Sequence, residues 1–378
     1  MGRYLVIGRG ASGEAAAALL RREGNDIVFS EHWDGVIASP GVHVKSELQL
    51  GCEELKRRGW RLLAVTGSKG KSSVVKAVAD AINLAGGRAV ACGNYGRPVS
   101  DLVFEQPGWA VVEVSSFQLE TTTLPDDTFE AAAVLNVQED HLDRHGSVSV
   151  YRSLKHRLTE MAKAFYGERD TLQAADENAL EPQFQGYEEL IAGSYFDNEV
   201  LRVNGAYAVA LMRVAGLGND EIRHGFETFR PLPHRFQTVA EVDGVRYVDD
   251  SKATSLAALE AGVRMCAPFC GPSVRLIAGG KPKGDDPFSV LATLTKRVKK
   301  VYLIGRCAEE FGAAWKSSVE CEVCGTMERA VSAAVREAEK GDTVLLSPGA
   351  ASFDQFKSFG ERGDVFASLV KRQGQKQK

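Results

Sequence analysis

Short runs of β-branched and apolar residues alternate along this chain with segments whose apolar positions recur every three or four residues. Tyr4–Gly8 is such a run, Ala15–Glu23 has the helical period, and Asp26–Ser30 is a second run. Leu62–Thr66 predicts a strand, followed by a glycine-rich turn and a helix from about Ser72 to Ala85. Ala110–Val114 and Ala131–Asn136 predict further buried strands, and Arg275–Ala278, Lys300–Gly305 and Thr343–Ser347 repeat the pattern. The alternation predicts α/β sheets with parallel strands. Two breaks divide the 378 residues. Lys56–Arg61 is basic and turn-like, and Arg-Pro-Leu-Pro-His around Pro231–His234 interrupts the helical period. The expected domains are 1–61, 62–230 and 231–378.

Composition narrows the class. Apolar types make up 44% and charged types 25%, which excludes a mainly disordered chain, a collagen or a disulfide mini-protein. Forty-six basic against fifty acidic residues give a net charge of −4, with no overall basic footprint for nucleic acid. No apolar run is long enough for a membrane span, and the start lacks the layout of a secretory leader. Seven cysteines at irregular spacing point to a reducing cytoplasm. Cys321 and Cys324 form one CxxC, but Cys266 and Cys270 lie too far upstream for the usual zinc spacing, so buried thiols are the expectation.

The strongest local signal is Gly67-Ser68-Lys69-Gly70-Lys71-Ser72-Ser73, directly after a strand and before a helix. Backbone N–H groups in such a loop cradle phosphates at the helix N-terminus, Lys71 adds a point charge, and Ser72 offers a hydroxyl to Mg²⁺. Glu113 ends the next strand, ahead of Val114-Ser115-Ser116-Phe117-Gln118-Leu119. A carboxylate there can hold Mg²⁺, directly or through water, but taken alone it reads equally well as a surface group. Asn136-Val137-Gln138-Glu139-Asp140-His141-Leu142-Asp143-Arg144-His145 crowds polar groups after a strand, which favours a site over a solvated loop. Tyr151–Leu158 reads as an amphipathic helix with a basic face, on which Lys155 looks like an ordinary surface lysine.

Four segments of the last domain each follow a strand or the Pro break. They are Pro233-His234-Arg235-Phe236, Val248 to Ser255 with Asp250 and Lys252, Ile277 to Asp285 with Lys281 and Lys283, and Leu346 to Phe356 with Ser352. Strand C-termini of a doubly wound sheet share one edge, so together these segments predict a second substrate surface. At the start, Gly8-Arg9-Gly10-Ala11-Ser12-Gly13 matches GxGxxG, with Glu31 about twenty residues on. The unit is too short for a full dinucleotide fold, so a single nucleotide diphosphate at that helix end, beside Ser12, is the expectation.

Taken in order, these segments resemble the Mur ligase family. The resemblance is carried by Thr66-Gly67-Ser68-Lys69-Gly70-Lys71-Ser72, Cys92-Gly93-Asn94-Tyr95-Gly96, Glu113 to Leu119, Asp140 to His145, Asp250-Ser251-Lys252-Ala253-Thr254 and Ser352-Phe353-Asp354-Gln355-Phe356. It reaches from Gly8 to about Gly363 and favours the branch that adds D-glutamate over its sister ligases and over folylpolyglutamate synthase. It implies a small Rossmann-like N-terminal unit for the UDP end of a sugar nucleotide, a central P-loop ATPase-type domain and a C-terminal Rossmann-like domain that receives the amino acid. It also implies a cytoplasmic, monomeric ligase that couples UDP-MurNAc-L-Ala to D-glutamate through an acyl phosphate at the expense of ATP, with domain closure. Lys71 and the loop from Gly67 to Ser73 would hold ATP, including Ser68, Lys69 and Gly70, with Arg235, Asp250 and Lys252 approaching it from the last domain. Ser72 and Glu113 would bind one Mg²⁺; Glu113, His141 and a carbamylated Lys155 would position a second. Ser12, Asn94, Ser115 and Gln118 fall to the sugar nucleotide, and Lys283, Ser352 and Phe359 to D-glutamate. The chain departs from the family at several points. Ser68 and Ser72 stand where threonine is usual, Ser30-Glu31-His32 replaces an acid-hydroxyl-arginine pattern, and the stretch before Ser39 is shortened. These departures leave two other readings open: a nucleotide-binding regulator of the same fold without ligation, or a related ligase using another amino acid.

Overall fold

The computed structural model describes residues 3–30, 45–138, 142–167, 186–266 and 272–376. The chain forms two compact units, Met1–Asp197 with Leu201–Phe229, and Asn198–Val200 with Arg230–Lys378.

In the first unit, β1 (Arg3–Ile7) and β2 (Asp26–Ser30) pair in parallel, joined by α1 (Ala11–Arg22). α2 (Glu47–Arg57) starts at Ser46, whose hydroxyl accepts the Gln49 N–H and so satisfies one of the orphan donors of its first turn. The basic Lys56–Arg61 stretch therefore belongs partly to a helix end. The apolar stripe of α2 (Leu48, Cys52, Leu55) and Leu19 of α1 share one buried cluster with strand residues Leu62, Ala64 and Val112. The central sheet is built from β3 (Arg61–Thr66), β4 (Ala89–Gly93), β5 (Trp109–Glu113), β6 (Ala131–Val134) and β7 (Phe165–Gly167). Its order is β4-β5-β3-β6-β7 and every pairing is parallel. Helices α3 (Lys71–Leu84), α4 (Ser116–Thr121), α5 (Leu142–His145) and α6 (Val148–His156) lie between strands. Helices α7 (Glu188–Ile191), α8 (Arg202–Val214) and α9 (Asn219–Thr228) complete the unit, with α8 and α9 against α3. β3 is flanked by β5 and β6, so the segments leaving their C-terminal ends (Gly67 onward, Val114 onward, Leu135 onward) emerge side by side.

The second unit holds β8 (Gln237–Val242), β9 (Val245–Asp249), α10 (Leu256–Cys266), β10 (Val274–Gly279), α11 (Leu291–Arg297) and β11 (Val298–Ile304). It continues with α12 (Ala308–Trp315), β12 (Glu320–Gly325), α13 (Met327–Glu337), β13 (Thr343–Leu346) and α14 (Phe359–Lys376). The sheet order is β12-β11-β10-β13-β9-β8. Alternate residues feed opposite faces: Leu276, Leu303 and Leu345 join one apolar cluster, Ile277, Tyr302 and Val344 the other. Helices cover both faces, as its parallel strands β9 to β13 require. One edge departs from the expected parallel pattern, because β8 runs antiparallel to β9 as a short hairpin. Cys321 packs with one cluster and Cys324 with the other, since residues three apart on a strand face opposite ways; the pair cannot share one ion. Among the described residues no helix is long and apolar enough to cross a membrane.

Candidate active site

The loop after β3 turns back on itself because Gly70 sits at φ +88°, a left-handed conformation that begins α3. A side chain there would also collide with the amide of Asn204 in α8. Asn136, two residues past β6, brackets the loop. Its carbonyl accepts the Ser68 N–H at 2.9 Å, its side-chain oxygen accepts the Lys69 N–H at 2.9 Å, and its side-chain amide donates to the Lys69 carbonyl at 2.9 Å. Lys71 folds over the loop and donates to the carbonyls of Gly67 (2.8 Å) and Ser68 (3.1 Å).

Glu113 is 3% exposed at the end of β5. One carboxylate oxygen accepts the Ser72 hydroxyl and the other the Asn94 amide, each at 2.8 Å. Two residues on, Ser115 and Gln118 form a capping box: Ser115 Oγ accepts the Gln118 N–H at 3.2 Å, and Gln118 Oε1 accepts the Ser115 N–H at 2.9 Å. Lys155 overturns its bare-sequence reading. It is 1% exposed, not a surface lysine, because α6 turns this residue under the phosphate loop. Its ammonium donates to the Gly67 carbonyl at 2.9 Å and lies 4.3 Å above the Tyr151 ring, whose hydroxyl accepts from Ser68 Oγ at 3.2 Å.

The first unit thus brings Gly67, Ser68, Lys69, Gly70, Lys71, Ser72, Glu113, Asn94 and Lys155 into one bonded cluster. Ser73 follows in the first turn of α3, and Ser115 and Gln118 flank the cluster. Ser12 stands apart, exposed in the first turn of α1. His141 lies outside the described residues, as do Glu139, Asp140 and Glu31. Asn136 and Tyr151 had no assigned role in the sequence; a polar residue directly after a buried strand was the available signal for Asn136.

In the second unit, Asp250 accepts the Phe236 N–H at 3.1 Å and the Ser347 hydroxyl at 3.0 Å. Burial pushes its carboxyl up to about 7, against those two hydrogen bonds. Lys252 lies 4.1 Å above the Phe359 ring, and its ammonium is pushed below the usual lysine range, first by burial and then by Arg235 and Lys283. Lys283 donates to Thr254 Oγ1 at 3.1 Å. Arg235, Asp250, Lys252, Lys283 and Phe359 are therefore neighbours at the strand ends. Ser352 is buried one residue past the Lys281–Ala351 bridge. Behind them Arg362, fully buried, donates to Ser251 Oγ (2.9 Å), the Ser251 carbonyl (2.8 Å) and the Ala350 carbonyl (3.1 Å). His234 Nδ1 lies 2.7 Å from Asp249 Oδ2.

A strand, a glycine loop on a helix N-terminus, and a buried carboxylate bonded to the hydroxyl after the loop lysine define a phosphate-binding α/β protein. Residues 65–177 match the Mur ligase middle domain, and residues 234–349 match the Mur ligase, glutamate ligase domain. The chain belongs to the Mur ligase family. It is similar to the UDP-N-acetylmuramoylalanine--D-glutamate ligase of Chlamydia caviae, at 30% identity over 97% of both chains. It is also similar to the protein of that name from Nitratidesulfovibrio vulgaris, at 35% identity over 88% of this chain and 77% of the relative. Among solved structures, MurF ligase from Thermotoga maritima in complex with ADP has a TM-score of 0.66 at 16% identity, covering 100% of this chain and 95% of that one. E. coli FolC in complex with ADP has a TM-score of 0.59 at 18% identity, over 88% and 96%.

Proposed function

We propose that this chain uses ATP to join D-glutamate to the alanyl carboxyl group of UDP-N-acetylmuramoyl-L-alanine in the synthesis of a peptidoglycan precursor. The observation that carries the reading is the Ser72–Glu113 bond at the mouth of the phosphate loop, in a chain aligned nearly end to end with ligases of that name. A carboxylate is a poor electrophile, so one of its oxygens must leave as phosphate before an amine can replace it. The γ-phosphoryl group of ATP passes to the alanyl carboxylate, and the amine of D-glutamate attacks the resulting acyl phosphate through a tetrahedral intermediate. ADP and phosphate leave.

Each assigned group serves one of these needs. Lys71 and the first-turn amides of α3 grip the terminal phosphates, with Arg235, Asp250 and Lys252 also given to the nucleotide. Ser72 and Glu113 offer a hydroxyl and carboxylate oxygens at one point, a hard donor set that suits Mg²⁺. They would hold one ion, and Glu113, His141 and a carbamylated Lys155 a second. When bound, such ions spread the charge of the transferring phosphoryl group. Asn94, Ser115, Gln118 and Ser12 are assigned to the sugar nucleotide, and Lys283, Ser352 and Phe359 to D-glutamate. In this reading residues 1–61, 62–230 and 231–378 serve the UDP end, ATP and the amino acid in turn. One chain carries all the assigned groups, so no second subunit is called for. The substrates and the unpaired thiols among the described residues fit a cytoplasmic enzyme.

The test is phosphate release from ATP and Mg²⁺ with UDP-N-acetylmuramoyl-L-alanine, with and without D-glutamate, followed by mass spectrometry of the product. Release should require both substrates and yield the D-glutamyl product. Release indifferent to either, or ATP binding without an amide product, overturns the reading. Competition among D-glutamate, L-glutamate, L-lysine and meso-diaminopimelate identifies the acceptor.

A further inference from the structure

Ser116 and His145, both buried, and the partly exposed Glu120 form a hydroxyl–imidazole–carboxylate chain that none of these assignments uses. His145 closes α5, with Nε2 3.0 Å from Ser116 Oγ and Nδ1 3.2 Å from Glu120 Oε1. Arg144 also binds Glu120, at 2.7 Å, and its hydrogen bond outweighs burial to hold that carboxyl below the usual range. Glu120 is therefore a carboxylate, and it faces the Nδ1 side of the ring while Nε2 meets the Ser116 hydroxyl. The connectivity is that of a hydrolase triad. Ser116, however, is 3% exposed and its hydroxyl is spent inward, so no substrate carbon reaches it. The use of this chain is to hold something else in place.

The imidazole packs against Phe117 of α4 (5.4 Å between centroids) and Tyr151 of α6 (5.3 Å). The Tyr151 hydroxyl accepts from Ser68 in the phosphate loop, and its ring lies beneath the Lys155 ammonium. One side of His145 is thus fastened to the helix that follows Glu113 and Ser115. The other side sets the aromatic ring on which Lys155 rests. We propose that His145 is a positioning residue: clamped by Ser116 and Glu120, it fixes the Tyr151 ring and so registers Lys155 against Gly67 and Ser68 of the phosphate loop. The inference rests on the reading of this loop as the ATP site. A phenylalanine at this position would fill the space but leave the Ser116 hydroxyl and the Glu120 carboxylate without their shared partner.

Kinetics of His145→Phe, His145→Gln, Ser116→Ala and Glu120→Gln test it, with circular dichroism to verify folding. The expected result for His145→Phe is a roughly tenfold loss in kcat/KM for ATP, the scale seen when a group that orients a ligand-bearing side chain is lost. KM for D-glutamate should stay within about twofold, because Lys283, Ser352 and Phe359 belong to the other compact unit. His145→Gln, which keeps a polar reach, should recover part of the loss. Ser116→Ala combined with His145→Phe should cost no more than His145→Phe alone, as groups in one chain do not add. Titration of the same variants with MgADP reads the site without the acceptor. A wild-type protein that makes no D-glutamyl product would sink the ligase assignment, while the ADP titration still decides the positioning role. Folded His145→Phe with unchanged ATP kinetics and ADP affinity overturns the proposal, as do additive losses or an equal rise in KM for D-glutamate. If His145→Phe does not fold, Ser116→Ala and Glu120→Gln, which each remove one group, carry the same test.

Discussion

Lys71 and Lys155, from different helices, donate to one and the same acceptor, the carbonyl oxygen of Gly67, at 2.8 and 2.9 Å. Two ammonium groups held this close repel, and the repulsion is stronger here than in water because Lys155 is buried. The Tyr151 ring offsets part of it. Carbamylation of Lys155 would replace repulsion by attraction and give the second proposed cation an anionic ligand.

Lys71→Ala should lower turnover by on the order of a hundredfold or more, since it removes the charge that the phosphate loop presents to the nucleotide. A coupled assay of ADP release checks it, and activity within a few-fold of wild type would contradict the assigned role.

Lys155→Ala should be inactive, and formate or acetate should restore part of the activity by standing in for the lost carbamate. Rescue titrated against carboxylate concentration is the measurement. Absence of rescue at any concentration would leave Lys155 as an ammonium.

Asp250 gives a pH dependence in the second unit. Its folded-state pKa is raised from 3.8 to about 7, so its contribution to stability is complete below 3.8 and is lost as pH rises through about 7. Asp250→Asn removes that loss. Melting temperatures of wild type and variant across this window should diverge in favour of the variant toward alkaline pH; parallel curves would contradict the raised value.

Glu337 has the opposite sign. Burial works against its ionisation, but Lys300, Tyr302 and Arg336 outweigh it and hold the carboxyl down to about 2. Its contribution is therefore present above 4.5 and lost as pH falls toward 2. Glu337→Gln should lower the melting temperature at neutral pH, and the gap from wild type should close on acidification.

Gly363→Ala should destabilise the second unit. The added methyl group would strike both His234 Nδ1 and the Asp249 carboxylate, which α14 approaches closely only because this residue has no side chain. Overpacking of this kind costs about 1–3 kcal/mol, read by denaturant unfolding, and a neutral result would mean that α14 can shift without loss.

Much of this architecture is legible in the chain. The strands that end at Thr66, Glu113 and Leu346 announce themselves as apolar runs closed by polar or glycine residues, because buried parallel strands need apolar side chains on both faces. β8 and β12 escape such reading: Gln-Thr-Val-Ala-Glu-Val and Glu-Cys-Glu-Val-Cys-Gly lie at sheet edges, where half the positions meet water. The burial of Lys155 is not legible from its helix, whose basic face looks solvated; only its placement under Gly67, 88 residues earlier, removes it from water. His145 and Ser116 likewise meet across 29 residues, a pairing no local pattern encodes.

The bracket made by Asn136 has one further effect. Because it already engages the amides of Ser68 and Lys69, the anion grip of this loop narrows to the opening turn of α3 and the lysine that begins it. Attraction then leans on full charge more than on aligned dipoles, and full charge is what dissolved ions shield. Nucleotide affinity in this protein should accordingly weaken steeply with ionic strength, and the salinity of the surrounding fluid becomes a setting of the enzyme.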